Sequence, residues 1–254
     1  MSHTAIVLAG SRPGRDALAE QLGTDLKALI PVAGKPMIQR PVEALLGSEE
    51  IAQVIVLTQA TDQIAAALPD DPRISVRSSK PTIAETMLAL CNDASLEWPL
   101  IVTTADHALL DTATVDEFLG KAKGADVAIG VVEREALMRR LPETRRTWLR
   151  FKGGAYTGAN LFALRSPEIA PAIELWRSAE QDRKKGWRLV ALFGPAILMG
   201  AALRILTIDD VLGRAGRKLG LAIRTVRLGN PLAGVDVDKA EDHALAEAIL
   251  EDKA

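Results

Sequence analysis

Residues 5–15 read A-I-V-L-A-G-S-R-P-G-R, and residues 26–38 read L-K-A-L-I-P-V-A-G-K-P-M-I. An apolar run rich in Val and Ile that enters a turn bearing Gly10, Ser11, Arg12, Gly14 and Arg15 predicts a buried strand ending in a turn whose backbone amides can form an anion-binding concavity. Lys27 and Lys35 follow closely, so four cations stand within reach of that turn.

Working outward, strand and helix signals alternate through the first half of the chain. Short apolar runs at residues 5–9, 53–58, 74–77, 100–104 and 126–132 predict strands. Between them, residues 37–46, 62–68, 82–92 and 115–123 carry apolar side chains at helical spacing. Repeated strand–helix–strand order implies right-handed crossovers and a mostly parallel sheet covered on both faces. In the second half, residues 148–152 and 155–164 read as two strands joined at Gly153–Gly154, a short antiparallel excursion. Helical stretches are expected over 167–181, 187–203 and 208–219, then a strand over 222–228 and a last helix over 239–250. No repeat or linker divides the 254 residues. The expected organisation is therefore one domain, with residues 1–135 forming a nucleotide-binding half and 136–254 an acceptor-binding half with a helical subregion.

Composition narrows the function classes. A hydrophobic content of 48% supports a full core, and a net charge of −2 supplies no global field for nucleic acid or an anionic membrane. The single cysteine, Cys91, excludes intrachain disulfides and thiolate metal clusters, which suits a reducing, cytoplasmic setting. No secretory leader is read at the amino terminus. Residues 189–203 are apolar throughout, but they are interrupted by Gly194–Pro195 and fall short of the roughly 18 to 20 residues of a spanning helix. Buried helices or a homo-oligomer interface are the favoured reading of that segment, and peripheral membrane contact the lesser one.

The opening turn matches neither common phosphate loop. A Walker loop needs glycine where Leu29 stands and Ser or Thr where Pro36 stands, and G-x-G-x-x-G is missing. On these grounds alone, an anion site and a solvated structural loop are evenly balanced.

The pair L-A-G-S-R-P-G-R and K-A-L-I-P-V-A-G-K-P-M-I resembles the signature of the nucleotidyltransferases that include the MobA-like and sugar-phosphate enzymes, with Ser11 and Pro13 where glycines are commoner. T-A-D-H-A-L-L and G-V-D-V-D-K-A-E-D resemble the same family's two metal-binding segments. The resemblance implies a Rossmann-like nucleotide-diphospho-sugar transferase (GT-A-like) fold, in agreement with the periodicity. It also implies transfer of NMP from an NTP to a small phosphorylated acceptor with loss of pyrophosphate. Residue by residue, it implies catalytic roles for Arg15, Lys27 and Asp106, and Mg2+ held by Asp106 with Asp236 and Asp238. Nucleotide contacts fall to Leu8, Ala9, Gly10, Ser11, Arg12, Gly14 and Lys35. Base recognition falls to the segment with Ser79, Lys80, Thr82 and Glu85, and acceptor contacts to Thr157, Gly158 and Asn160. Apart from the resemblance, Lys185 or Arg188 is a candidate to meet an acceptor phosphate.

These residue types suit the chemistry. A triphosphate and an incoming phosphate repel each other, so a divalent cation and fixed positive groups are needed to bring them together. No general base stands out, which fits an acceptor that is already a phosphate dianion at neutral pH. His107 reads as structural rather than catalytic. Asp236 is expected to be the ligand of the late pair, with Asp238 either capping the last helix through Glu241 or standing behind the ligand. The charge groups around Arg145–Arg146 and Arg183–Lys185 read as solvated surface. Two alternatives stand beside the main reading: a nucleotide-sugar-dependent glycosyltransferase, disfavoured by Thr104 at the first position of its D-x-D motif, and a non-catalytic nucleotide-binding subunit.

Overall fold

The structure is a computed structural model and describes residues 2–11, 14, 16–181, 194, 199–200 and 202–252. Its first half runs β1 (His3–Leu8), α1 (Ala17–Gln21), a hairpin of β2 (Pro31–Val32) and β3 (Lys35–Pro36), α2 (Gln39–Leu46), β4 (Ile51–Thr58) and α3 (Thr61–Ala66). It continues through β5 (Ile74–Ser78), α4 (Ile83–Cys91), β6 (Leu100–Thr104), α5 (Thr112–Ala122) and β7 (Val127–Glu133). The second half adds α6 (Arg134–Arg140), β8 (Leu149–Phe151), β9 (Gly154–Leu164), α7 (Ala170–Gln181), α8 (Ile208–Leu219), β10 (Ile223–Arg227) and α9 (Ala240–Leu250).

Among the described residues, one sheet follows the order β10-β7-β9-β6-β1-β4-β5, with β8 paired to β9 off that path. β9 is antiparallel to β6 and β7. The other neighbours on the path are parallel. Side chains along β1 alternate between two cores, as the strand period requires. Ala5 and Val7 join Val54, Val56 and Ile101 beneath Val42 and Leu45 of α2 and Val115, Phe118 and Leu119 of α5. Ile6 faces the other way, onto Ile55, Leu57, Leu100 and Val102 under Met87 and Leu90 of α4. Burial on both faces explains why this strand reads as continuously apolar. The register sets Leu8 beside Leu57 and Thr104, so the carboxyl ends of β1, β4 and β6 finish level.

Departures from the sequence expectations have local causes. α2 starts at Gln39 because Met37 and Ile38 are spent on a turn, where their N–H groups donate to Ile30 and Ala28 at 2.8 and 3.0 Å. The β2–β3 hairpin was not expected. Ala33 and Gly34 both adopt positive φ, 47° and 77°, as a two-residue hairpin turn of this hand requires. α5 begins three residues early because the Asp111 carboxylate caps it through the Thr114 N–H at 2.7 Å. The antiparallel excursion turns at Gly153, φ +85°. The helix expected over 187–203 falls largely outside the described residues, as do Lys185 and Arg188. No described helix is long and apolar enough to cross a membrane.

Candidate active site

β6 ends at Thr104, and the chain then turns tightly, with the His107 N–H donating to the Thr104 carbonyl at 3.2 Å. That turn presents Asp106. Its Oδ1 accepts from the Thr104 hydroxyl at 2.5 Å, and its Oδ2 from the Lys27 ammonium at 2.8 Å. Lys27 opens a short 3-10 helix (Lys27–Leu29) anchored on the β2–β3 hairpin by the backbone bonds of Met37 and Ile38. The hairpin in turn rests on α9, where His243 Nε2 pairs with the Pro31 carbonyl at 2.6 Å and Glu247 accepts from the Ala33 N–H at 3.3 Å.

The segment before α9 closes the site from the other side. The Val237 N–H donates to the Asp106 carbonyl at 3.0 Å, and Asp238 Oδ1 accepts from Lys27 at 2.5 Å. Lys27 thus bridges two carboxylates that the sequence keeps 79 and 211 residues away. Asp236 is bound instead by Arg146, whose Nη1 contacts both its carboxylate and, at 3.2 Å, its carbonyl oxygen. Arg146 Nη2 reaches Asp242 at 2.6 Å. Its side chain is only 8% exposed, so the reading of the Arg145–Arg146 group as solvated surface is corrected at Arg146. Half-buried aspartates favour a nearby cation, but nothing in the local spelling R-R-T marks which of the chain's cations supplies it.

Asp238 does not cap α9. Asp242 does that work, accepting the N–H groups of Asp238 and Lys239 at 3.3 and 3.2 Å, which leaves Asp238 free to engage Lys27. The expected capping box is therefore shifted by one residue. Asn160 joins the cluster through β9. It lies at a register irregularity opposite Gly130 with φ +44°, and its amide stands 3.5 Å from Asp236 Oδ2. Thr157 is buried against Gly234, and Gly158 pairs with Val131, so these two support the bulge from within the sheet.

Electrostatics follow from this packing. Burial works against the charged form of Lys27, but Asp106 and Asp238 overcome it and raise its pKa. The carboxyl of Asp236 is pushed up by burial first, then by Asp238 and Asp106, with Arg146 opposing. Asp238 would also be raised by burial, yet its bond to Lys27 carries it below the usual carboxylate range. Such crowding of negative charge fits a small, hard divalent cation. Among the described residues, no three His, Cys, Asp or Glu side chains are grouped to hold one metal ion by themselves. One or two carboxylates completed by phosphate oxygens and water are the usual donor set of Mg2+.

The opening loop lies at the level ends of β1 and β4. Gly10 approaches Gln59 so closely that an added Cβ would sit 3.2 Å from its Nε2 and 3.5 Å from Ser79 Oγ. Gln59, which the sequence reading passed over, ties the loop across the sheet end: its Oε1 accepts from the Ser11 N–H at 2.8 Å, and its Nε2 donates to the Lys80 carbonyl at 3.4 Å. Ser79 Oγ is buried without a partner. Leu8 and Ala9 are committed to backbone pairing, the Leu8 carbonyl accepting from Ala105 and the Ala9 N–H donating to Leu57. Gly14 takes φ +104°, while Arg12 and Arg15 lie outside the described residues.

Thr82 is the N-cap of α4, accepting from the Glu85 N–H at 3.1 Å, with Glu85 in the first turn. Lys35 is turned to Glu43, 2.8 Å from both carboxylate oxygens, rather than to the aspartates. His107 is 1% exposed, and its Nδ1 pairs with Thr103 at 3.1 Å. Burial lowers its pKa to about 4 against the opposing pull of Asp106, the Ala233 backbone and Asp111, so the ring is neutral and internal.

Residues 5–195 match the family profile described as the MobA-like NTP transferase domain. A protein described as a hypothetical transferase from Thermus thermophilus superposes with a TM-score of 0.81 at 31% identity, over 96% of this chain and 100% of its own. A 4-diphosphocytidyl-2C-methyl-D-erythritol synthase from Anaerococcus prevotii gives 0.61 at 11% identity, over 98% and 96% of the two chains. A 2-C-methyl-D-erythritol 4-phosphate cytidylyltransferase, also from Thermus thermophilus, gives 0.54 at 16%, over 99% and 100%. At those identities the last two speak to fold alone. No curated protein matches the chain.

Proposed function

The chain belongs to the MobA-like NTP transferase domain family and is a nucleotidyltransferase, and from that premise we propose that it moves NMP from an NTP to a small phosphorylated acceptor in a Mg2+-dependent reaction. The acceptor class is a sugar phosphate, a polyol or inositol phosphate, or a phosphorylated cofactor precursor. The observation that carries this reading is the Lys27 ammonium held between Asp106 and Asp238 at the carboxyl edge of the sheet, 2.8 and 2.5 Å away. Open parallel sheets bind ligands at that edge.

In the proposed reaction an acceptor phosphate oxygen attacks the α-phosphorus, the bond to the bridging oxygen of the β-phosphate breaks, and pyrophosphate departs with the electron pair. Mg2+, held by Asp106 and by one or both of Asp236 and Asp238, would neutralise charge on the α-phosphate. Lys27, released from its carboxylates, would turn to the phosphates and stabilise the charge that develops there. Arg15 is assigned the same task on the leaving pyrophosphate. The Gly10–Ser11 turn, whose Ser11 N–H is held by Gln59 Oε1, borders the nucleotide phosphates, and Ser79 and Thr82 border the base. Asn160 faces the acceptor. His107 is too buried and too weakly basic to serve as general base, which supports an acceptor that brings its own anionic nucleophile. One similar structure carries a name that specifies a polyol phosphate, a substrate of the proposed class. The family match and the aspartates after position 230 fall in one fold, which supports treating the chain as a single unit of two cooperating halves.

A pyrophosphate-release screen tests this directly, crossing four ribonucleoside triphosphates with phosphorylated sugars, polyols and cofactor precursors. One pair should turn over with Mg2+ and stop on chelation. Nucleotide binding with no pyrophosphate from any acceptor would overturn the reading in favour of a non-catalytic subunit.

A further inference from the structure

Arg146 occupies an unusual station. Reaching across 90 and 96 residues of chain, one guanidinium grips Asp236 through its carboxylate and its carbonyl oxygen and then spans to Asp242. Asp242 passes the restraint on, because its second oxygen holds the N–H groups of Asp238 and Lys239. Both late aspartates are thereby fixed, Asp236 directly and Asp238 through its backbone, while Val237 between them is pinned to the Asp106 carbonyl at 3.0 Å.

Stability is a poor explanation for this arrangement. A buried ion pair recovers little of the cost of desolvating its charges, and apolar residues of similar volume commonly serve a core as well. Arg146 also leaves its own Nε buried without a partner, a further cost. What a guanidinium supplies and an apolar residue or an ammonium does not is a rigid, planar fork that sets two carboxylates at fixed angles.

We propose that Arg146 is a positioning residue that holds the Asp236–Asp238 segment in register with Asp106, so that the carboxylate this segment lends to the divalent cation meets it and its bound triphosphate in one geometry. This role rests on the metal-assisted reading above. It predicts that Arg146 governs the metal-dependent part of nucleotide binding and leaves the metal-free part alone.

The probe is the non-hydrolysable α,β-methylene analogue of whichever ribonucleoside triphosphate the wild-type chain binds best of the four, titrated by calorimetry with Mn2+ and again with chelator. The ratio of the two affinities is the metal-dependent gain. Arg146→Lys keeps the charge and loses the fork, and it should cut the gain by about ten-fold, as loss of a partner that orients metal ligands does, with metal-free affinity and melting midpoint near wild type. An undiminished gain in folded Arg146→Lys would overturn the proposal. Should that variant fail to fold, Asp242→Asn, which spares the Arg146–Asp236 contact, should lower the gain a few-fold, and an undiminished gain there overturns the role equally. A wild-type chain that gains nothing from Mn2+ with any of the four analogues would overturn the metal-assisted reading itself, and this role with it.

Discussion

The Lys27 ammonium lies 2.8 Å from the Asp106 carboxylate across 79 residues of sequence. That pair joins a 3-10 helix before the first hairpin to the end of a central strand, and Asp238 closes it from the far end of the chain. An ammonium between two carboxylates stands where a metal cation would also be attracted. On the proposed metal-assisted reading, Lys27 and the cation would compete for the same oxygens until a triphosphate offers the lysine another partner.

Lys27→Met should separate these roles. Turnover, read as pyrophosphate release, should fall by a factor on the order of a hundred or more, the usual cost of removing one donor to transition-state charge. Mn2+ affinity of the nucleotide-free chain, read from the free-ion paramagnetic resonance signal, should rise because the competitor is gone. Weaker or equal Mn2+ binding would show that the lysine organises the aspartates instead of occupying their cation position.

Asp106→Asn keeps the shape of the side chain and its contact with the Thr104 hydroxyl while removing the charge. Turnover should be lost to background, with the melting midpoint changed by only a few degrees. A folded variant with near-normal pyrophosphate release would remove Asp106 from the chemistry.

The sequence was most legible where period and chemistry agree. The strand over 100–104 and the helix over 208–219 match β6 and α8 residue for residue, because each carries an unbroken pattern ended by a strong stop: the tight turn at Asp106 in one case, Gly220 in a left-handed cap in the other. Lys27, Asp106 and Asp238 were legible as candidates through the order of their motifs, and the structure brings them together. Arg146 and Gln59 were not. Their significance lies wholly in long-range pairing, Arg146 with Asp236 and Asp242, Gln59 with Ser11 and Lys80, and pairing at that separation leaves no periodic trace. The capping of α9 shows the finer limit, since Asp238 and Asp242 are both well placed by spelling, and only the pull of Lys27 on Asp238 decides between them.

His107 predicts a pH dependence of stability with a definite sign. Its pKa is about 4 in the folded chain against an ordinary value of 6.5. Between those values the unfolded chain binds a proton that the folded chain refuses, so stability falls as pH drops through this window and is level above it. The full penalty is about 3 kcal/mol, from the free-energy equivalent of a pKa shift. Denaturant unfolding of wild type and His107→Asn at pH 4 to 8 should show a pH-dependent difference that grows toward acid. Parallel curves would mean that the ring is accessible to protons in the folded state.

Asn160 offers a way to divide backbone from side chain at the site. Its φ of +44° lies in the left-handed region, where asparagine is tolerated and residues with a plain Cβ pay roughly 1 to 2 kcal/mol. The irregular register opposite Gly130 depends on that conformation, and Gly130 has no room to yield, since an added Cβ would lie 3.1 Å from the Leu161 carbonyl. Asn160→Ala should therefore lose about 1 kcal/mol of stability by denaturant unfolding. Asn160→Gly should be nearly neutral, because glycine adopts the conformation freely while adding freedom to the unfolded chain. Both remove the amide beside Asp236 Oδ2. If that amide serves the acceptor, the two variants should lose turnover equally despite their different stabilities, with the KM for acceptor rising more than that for nucleotide. Loss of activity that instead tracks stability, severe in alanine and absent in glycine, would confine Asn160 to shaping the strand.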